Sequence, residues 1–475
     1  MTYFFPESIQ KALDAFVTYN EINYFYNSVY YNSFLNAIKE LNEQNIKEEI
    51  QSNKNILLKT WFEKMDSEFE EKLRSKNFID LLSRYVNNSL DLYKDMYNEY
   101  TTFPQTICHD TFDFYLKYFY SRFISYSKEL NLSDHEIVFQ NDNIKLLHYR
   151  DNNSNLQTKG SESKNILLVI YAPINRFHIL DLNPSKSIVR TLLNNGIEVY
   201  LLDWGYPDKK DDTLTLKDYI DYIDDAVNVI IKSRSITTTS SSSTTKISIL
   251  GYCWGGITSL IYTAAVAGAI NQKNIIDKLI LMATPVDFSK DNTTVSLWSK
   301  SINTDKTIDI FGHFDGYFLD FVFNMRNPAK FIFAKYFNLW RNLDNKEFVN
   351  TFIDVEKWLH DTPPIPGELY KKMVNDCYKN NLLITGNMKL EDEKLEKEDG
   401  NTKINLNKIT IPVLSIIAEK DNLVSPISSL AINDNISSKE KKVFMHPGGH
   451  VSLCISNEAH KELWPKVANW IKSKP

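Results

Sequence analysis

The chain of 475 residues has only four cysteines, Cys108, Cys253, Cys377 and Cys454. They lie far apart and none forms a C-x-x-C pair. That excludes a disulfide framework and a zinc ribbon, and leaves free thiols as the natural reading. A basic excess is also missing. The net charge is −6, so no positive field points to nucleic acid. The first residues, Met1-Thr-Tyr-Phe-Phe-Pro-Glu7, have neither the basic start nor the apolar core of a secretory signal. The longest run poor in charge, Gly251 to Ile270, is about long enough to span a bilayer. Its Gly, Ala, Ser and Thr content reads better as a buried helix, so no transmembrane segment is expected and the protein should be soluble and cytoplasmic. His446 and His450 stand four apart, but Pro447-Gly448-Gly449 breaks any helix that would align them, so no metal site is expected. What remains is ordinary globular composition, 43% hydrophobic and 24% charged, with aromatics raised to 13%.

The most informative stretch is Gly251-Tyr-Cys253-Trp-Gly255-Gly256. It follows the β-branched run Lys246 to Leu250 and precedes a small, apolar run from Ile257 to Ala265. The pattern predicts a strand, a tight turn and a helix. The turn has the G-x-nucleophile-x-G form of the α/β-hydrolase elbow, with Cys253 where most hydrolases carry Ser. Glycines are needed because neighbouring Cβ atoms would collide with the adjacent strand and helix. The helix that starts here aims free N–H groups and the positive end of its dipole at the sulfur, a setting suited to a thiolate nucleophile. A cysteine here can also be a small buried hydrophobe.

Two later segments bear on that choice. Ile411 to Ala418 reads as a buried strand ending in a loop with Asp421. Lys441 to His446 reads as a last strand followed by Pro447-Gly-Gly-His450, and a helix pattern runs from about Asn457 to Lys472. Asp421 alone could be a turn residue, and His450 alone a loop histidine. The order nucleophile, acid, histidine, each just past a strand, is what this fold requires. Asp421 would orient His450, and His450 would take the proton from Cys253.

Along the chain, residues 1–132 read as a helical N-terminal region, with apolar spacing at Ile9–Phe16, Ile56–Phe62 and Phe112–Leu130. Its aromatic stretch Thr111–Tyr120 is either a packed helical core or a surface for a partner or an apolar polymer. Residues 133–475 read as the catalytic domain. A hairpin at Ile137–Tyr149 and strands at Asn165–Tyr171 and Ile197–Leu202 are followed by a helix from about Leu216 to Ser233. A further strand is expected at Lys278–Ala283. The Ser/Thr tract Thr237–Thr245 reads as a surface insertion and the charge run Leu390–Asp399 as a solvated loop. The long helical, aromatic interval before the next strand, about 288–405, is expected to form a cap over the site. The fold class expected is α/β, an α/β-hydrolase fold with a mainly helical cap insertion and an additional helical N-terminal region.

Several strings resemble the polyhydroxyalkanoate synthases, most of all the catalytic subunit of the class III enzymes. Besides the elbow these are Ala172-Pro-Ile-Asn-Arg-Phe-His-Ile-Leu-Asp-Leu182, Leu202-Asp-Trp-Gly-Tyr-Pro-Asp208 with Leu214-Thr-Leu-Lys-Asp-Tyr-Ile220, Ala283-Thr-Pro-Val-Asp-Phe288, Glu356-Lys-Trp-Leu-His-Asp361 and Pro447-Gly-Gly-His450. The resemblance runs from about Glu136 to the C-terminus and leaves out residues 1 to about 130. It implies polymerisation of (R)-3-hydroxyacyl-CoA, short-chain 3-hydroxybutyryl-CoA in particular, into a polyester. Cys253 would carry the growing chain, His450 would be the general base, and Asp421 would assist activation of the 3-hydroxyl. The family usually has His directly after this Asp, and here Asn422 stands instead. The oxyanion donors would be the backbone N–H of Trp254, from the fold, and that of Ile174, from matching the family's loop.

No cofactor is implied, since CoA is the leaving group of the substrate. The resemblance also implies a homodimer at the surface of polyester granules. Class III enzymes need a helical accessory subunit, which residues 1–132 would either replace or recruit. Two other readings stand beside this one: an esterase or polyester depolymerase of the same fold, and a non-catalytic granule-associated protein.

Overall fold

The computed structural model describes residues 130, 132–150, 165–237, 245–266, 275–316, 345–391 and 401–473, with isolated positions between 319 and 342. Most of the predicted helical region 1–132 lies outside the described residues, Cys108 and the Thr111–Tyr120 aromatics included. So do most of the Ser/Thr tract and the centre of the charge run.

One eight-stranded sheet organises the described residues. Its strands are β1 (His135–Asn141), β2 (Ile144–Tyr149), β3 (Ile166–Ile170), β4 (Glu198–Asp203), β5 (Ile247–Tyr252), β6 (Ile276–Met282), β7 (Val413–Ala418) and β8 (Lys441–His446). Their spatial order is β1-β2-β4-β3-β5-β6-β7-β8. The β1–β2 hairpin and the β2–β4 pair are antiparallel, and every other pair is parallel. Each residue of β3, β5 and β7 is buried, as expected where both faces of a parallel sheet are covered. The edge strands β1 and β8 are mostly exposed.

From β3 the chain steps to β4 on one side, then returns to β5 on the other. That reversal opens a crevice at the carboxyl ends of β3 and β5, where open α/β sheets bind ligands. The crossovers are helical: α1 (Ile188–Leu193), α2 (Leu216–Thr237) and α3 (Trp254–Val266). Ser187 caps α1 by accepting the N–H of Arg190 at 2.9 Å.

After β6 the chain does not return to the sheet until Val413. The interval contains α4 (Thr294–Ser301), α5 (Thr304–Phe311), α6 (Lys346–Leu359) and α7 (Gly367–Lys372), the last running into a π-helical turn at Met373–Lys379. It also contains two short antiparallel ladders that helical periodicity does not predict, His313–Phe314 with Ile365–Pro366 and Lys389–Glu391 with Asn401–Lys403. Phe314 stacks on Tyr370 at 4.1 Å, which explains the first ladder's place beside α7.

The chain divides into two compact units. The sheet unit comprises Glu129–Ser296, Gly312–Tyr317 and Asp354–Pro475, and the other unit includes Leu297–Phe311 and Phe318–Ile353. The C-terminal helix α8 (Trp464–Lys472) is tied to the sheet by the buried Lys278 of β6. Its Nζ donates to the carbonyls of Trp470 and Ile471, both at 2.9 Å, and of Ser473. Carbonyls at a helix end are short of intrahelical donors, and although that of Trp470 also accepts from Ser473, the interior ammonium gives all three a charged partner and is itself satisfied.

Candidate active site

The elbow between β5 and α3 puts Cys253 at φ +55°, the left-handed region that only a few per cent of non-glycine residues adopt. Its neighbours show why glycine surrounds it. A Cβ on Gly251 would lie 2.5 Å from the Gly256 Cα, one on Gly255 2.3 Å from the Ile170 carbonyl oxygen, and one on Gly256 1.8 Å from the Thr284 Oγ1. The turn therefore presses against the ends of both β3 and β6. The Cys253 N–H donates to the Met282 carbonyl at 2.9 Å, which pins the nucleophile turn to β6. Trp254 is the first residue of α3, so its N–H has no intrahelical acceptor.

Cys253 is half-buried, whereas Cys377 and Cys454 are fully buried. Burial pushes the Cys377 thiol well up and the Cys454 thiol up to about 12, so neither is a competing nucleophile.

Asp421 and His450 follow β7 and β8, neighbouring strands whose end loops are joined by backbone bonds. The Glu419 N–H donates to the His446 carbonyl at 2.8 Å and the Lys420 N–H to the Gly448 carbonyl at 2.9 Å. His450 Nδ1 lies 2.7 Å from Asp421 Oδ2. The other carboxylate oxygen, Oδ1, accepts the N–H groups of Leu423 at 2.8 Å and Val424 at 3.0 Å. The Asp421 side chain is only 2% exposed. Both carboxylate oxygens are thus engaged, one by His450 and the other by the backbone of its own loop.

The His450 ring stacks on Tyr252 at 5.1 Å and lies close enough to Cys253 to feel its charge. Burial pulls its pKa down, but the charges of Asp421 and Cys253 more than reverse this and push it up to about 10. Nδ1 is engaged by Asp421, which leaves Nε2 for the sulfur. Cys253, Asp421 and His450 are thus brought together from the ends of β5, β7 and β8.

Ile174 lies on the loop after β3, half-exposed. Asn175 beside it is at φ +59°. Arg176 is buried, its guanidinium bonded to the Asp203 carboxylate at 3.0 Å and the Gly205 carbonyl at 2.6 Å.

Sequence reasoning missed two contacts from the long insertion. The Trp254 indole donates to the Tyr378 hydroxyl at 3.0 Å, and Tyr378 packs on Phe288 at 4.6 Å. Asn381, at φ +50°, accepts the Phe288 N–H and donates to Asp287, both at 2.9 Å. The only available signal was Asn380-Asn381, a pair that suits a left-handed turn. Among the described residues no three His, Cys, Asp or Glu are grouped to hold a metal, and no helix is long and apolar enough to cross a membrane.

Strand order, elbow and the Cys–His–Asp contacts define a protein of the α/β-hydrolase fold, and the profile of that fold family matches residues 177–454. A second profile, the N-terminus of poly-beta-hydroxybutyrate polymerase (PhaC), matches residues 116–192. It starts ahead of residue 130, so the likeness extends further toward the N-terminus than the sequence strings suggest.

The poly(3-hydroxyalkanoate) polymerase subunit PhaC of Thiocystis violacea is 32% identical over 347 residues, 73% of this chain and 90% of its own length. That of Allochromatium vinosum is 34% identical over 309 residues, covering 65% and 81%. That of Haloferax mediterranei is 33% identical over 342 residues, covering 71% of this chain and 64%, just under two thirds, of the relative. The chain belongs to the poly(3-hydroxyalkanoate) polymerase PhaC family.

Proposed function

We propose that the chain polymerises (R)-3-hydroxyacyl-CoA, with 3-hydroxybutyryl-CoA as the preferred short-chain substrate, through an acyl group carried on Cys253. The observation that carries this reading is the alignment of Cys253, His450 and Asp421 at three strand ends, in a chain of this family. The Cys253 proton passes to His450 Nε2, and the sulfur attacks the thioester carbonyl. The oxyanion is held by the N–H groups of Trp254 and Ile174, each worth roughly 3–4 kcal/mol in the transition state. The C–S bond to CoA breaks, and CoA leaves as a thiol with the proton from His450. Neutral His450 then takes the proton of a 3-hydroxyl, whose oxygen attacks the acyl-Cys carbonyl. The ester C–O bond forms, the C–S bond to Cys253 breaks, and the leaving thiolate takes the proton back from His450, which restores the starting state.

Water must not compete with that hydroxyl. Trp254, next to the nucleophile, packs with Tyr378 and Phe288 into an aromatic cluster, and the 288–405 insertion serves as the cap. In the cell this reading puts a homodimer at the surface of its polyester granule in the cytoplasm, with residues 1–132 replacing or recruiting the helical accessory subunit.

The test is the purified chain alone with 3-hydroxybutyryl-CoA. CoA release together with polymer supports the proposal. CoA release with only free 3-hydroxybutyrate makes the chain a hydrolase, and no CoA release makes it a non-catalytic granule protein.

A further inference from the structure

Ile174 sits in a loop that no sheet hydrogen bond holds, directly before a residue with an unusual backbone. Asn175 is 8% exposed and left-handed at φ +59°, a conformation that Asn tolerates better than most side chains. Its Nδ2 donates to the Thr362 Oγ1 at 2.7 Å, and also lies 3.1 Å from the Leu359 carbonyl and 3.5 Å from the Trp358 carbonyl. Those carbonyls end α6, where i→i+4 donors run out; that of Trp358 also accepts the Asp361 N–H at 3.2 Å and that of Leu359 the Thr362 hydroxyl at 3.1 Å. A bond also runs the other way: the Trp358 indole N–H, buried, donates to the Arg176 carbonyl at 2.7 Å. A side chain of the loop thus grips the helix backbone while a side chain of the helix grips the loop backbone, one residue further along.

From these reciprocal bonds we infer that Asn175 and Trp358 are positioning residues for the oxyanion hole: they clasp the β3 loop to the end of α6 and so fix where the Ile174 N–H points. This rests on the reading that Ile174 supplies the second donor. Asn meets two requirements at once. Gly would adopt the same φ but has no side chain to donate, and Asp would turn an oxygen toward acceptors.

The clasp makes the long insertion part of the catalytic geometry, and a displacement of about 1 Å at such a point costs on the order of 100-fold. The test uses the full chain with Asn175→Gly, Asn175→Asp and Trp358→Phe. Two rates are compared: single-turnover CoA release from 3-hydroxybutyryl-CoA, and alkylation of Cys253 by iodoacetamide. Alkylation needs the same sulfur and histidine but forms no oxyanion. The expected result is CoA release reduced about 10- to 100-fold with KM within about threefold, and alkylation unchanged within about twofold. Asn175→Gly with Trp358→Phe should be little worse than the worse single variant, because both hold one loop.

Wild-type CoA release in Asn175→Gly overturns the clasp, and so does a parallel loss of release and alkylation. The underlying reading fails in a different way: wild-type protein releases no CoA, or Cys253→Ala releases it normally.

Discussion

Replacing Asp421 by Asn alters one atom, and the structure dictates which way the new amide turns. Oδ1 accepts two backbone N–H groups, from Leu423 and Val424. Only the amide oxygen can stay there, so the NH2 must face His450 Nδ1, where a carboxylate oxygen stood at 2.7 Å. Two donors cannot share that contact. The imidazole gives up its Nδ1 proton and holds its remaining proton on Nε2, the nitrogen that has to accept one from the thiol and from the hydroxyl. A misplaced tautomer of this kind costs about 10³–10⁴-fold in rate, or about 4–5 kcal/mol of transition-state stabilisation.

In the proposed mechanism one base serves both chemical steps, so the loss should be equal in single-turnover CoA release and in steady-state polymer formation. Selective ¹⁵N-histidine spectra would show the Nε2–H tautomer at neutral pH in the variant. Stability should respond as well. A folded-state pKa of about 10 for His450, above the ordinary histidine value, gives stability that is complete below about pH 6.5 and is lost as pH rises toward 10. The variant should show a smaller decline, because only the Cys253 contribution to the raised pKa remains. Activity within tenfold of wild type would refute the tautomer argument, and a loss confined to elongation would mean that Asp421 meets the substrate hydroxyl itself.

Cys253→Ala should abolish CoA release without changing the melting temperature by more than a few degrees, while Cys377→Ala and Cys454→Ala keep most activity; thiol titration and CoA assays check all three. Gly255→Ala should be more damaging than Gly256→Ala, because its Cβ meets the Ile170 backbone at 2.3 Å whereas that of Gly256 meets the movable Thr284 side chain. Thermal melts should show a loss of about 3 kcal/mol or more for the first and a smaller loss for the second, partly restored by Thr284→Ala. Lys278→Met removes the donor to the Trp470, Ile471 and Ser473 carbonyls and should cost about 2–4 kcal/mol in denaturant melts, with kcat unchanged because Lys278 lies near the start of β6, away from the Met282 end that holds the elbow.

Elements bounded by turn residues were legible in the sequence. β2 and β8 occupy the ranges that Asn141-Asp-Asn143 and Pro447-Gly-Gly449 predict, and α2 starts at Leu216 as its periodicity requires. Cys253, Asp421 and His450 could be picked out because this architecture puts functional groups at strand ends, and strand ends can be read locally. The clasp could not be read. Asn175 and Trp358 are 183 residues apart, and each belongs to an element that looks complete without the other. Tyr378 was hidden for the same reason, 124 residues from Trp254 and within a π-helical turn. A second π-helical turn, Ala459–Leu463, breaks the single helix expected from about Asn457, since a wider turn leaves apolar spacing close to that of an ordinary helix.

The seam between β6 and β7 has a consequence for how the chain comes to be active. Strands β1 to β6 are contributed by His135 to Met282, and β7 and β8 by Val413 to His446. Each group can pair within itself after short loop closures, but joining them requires closing the whole insertion, which is entropically the slowest contact in the sheet. Cys253 belongs to the first group, and Asp421 and His450 to the second. A chain emerging from the ribosome can therefore pair the strands around Cys253 before Asp421 and His450 have joined the sheet. On the proposed mechanism, reactivity would then arrive only when the last seam closes, and a half-folded molecule would not acylate itself before its site could use the acyl group.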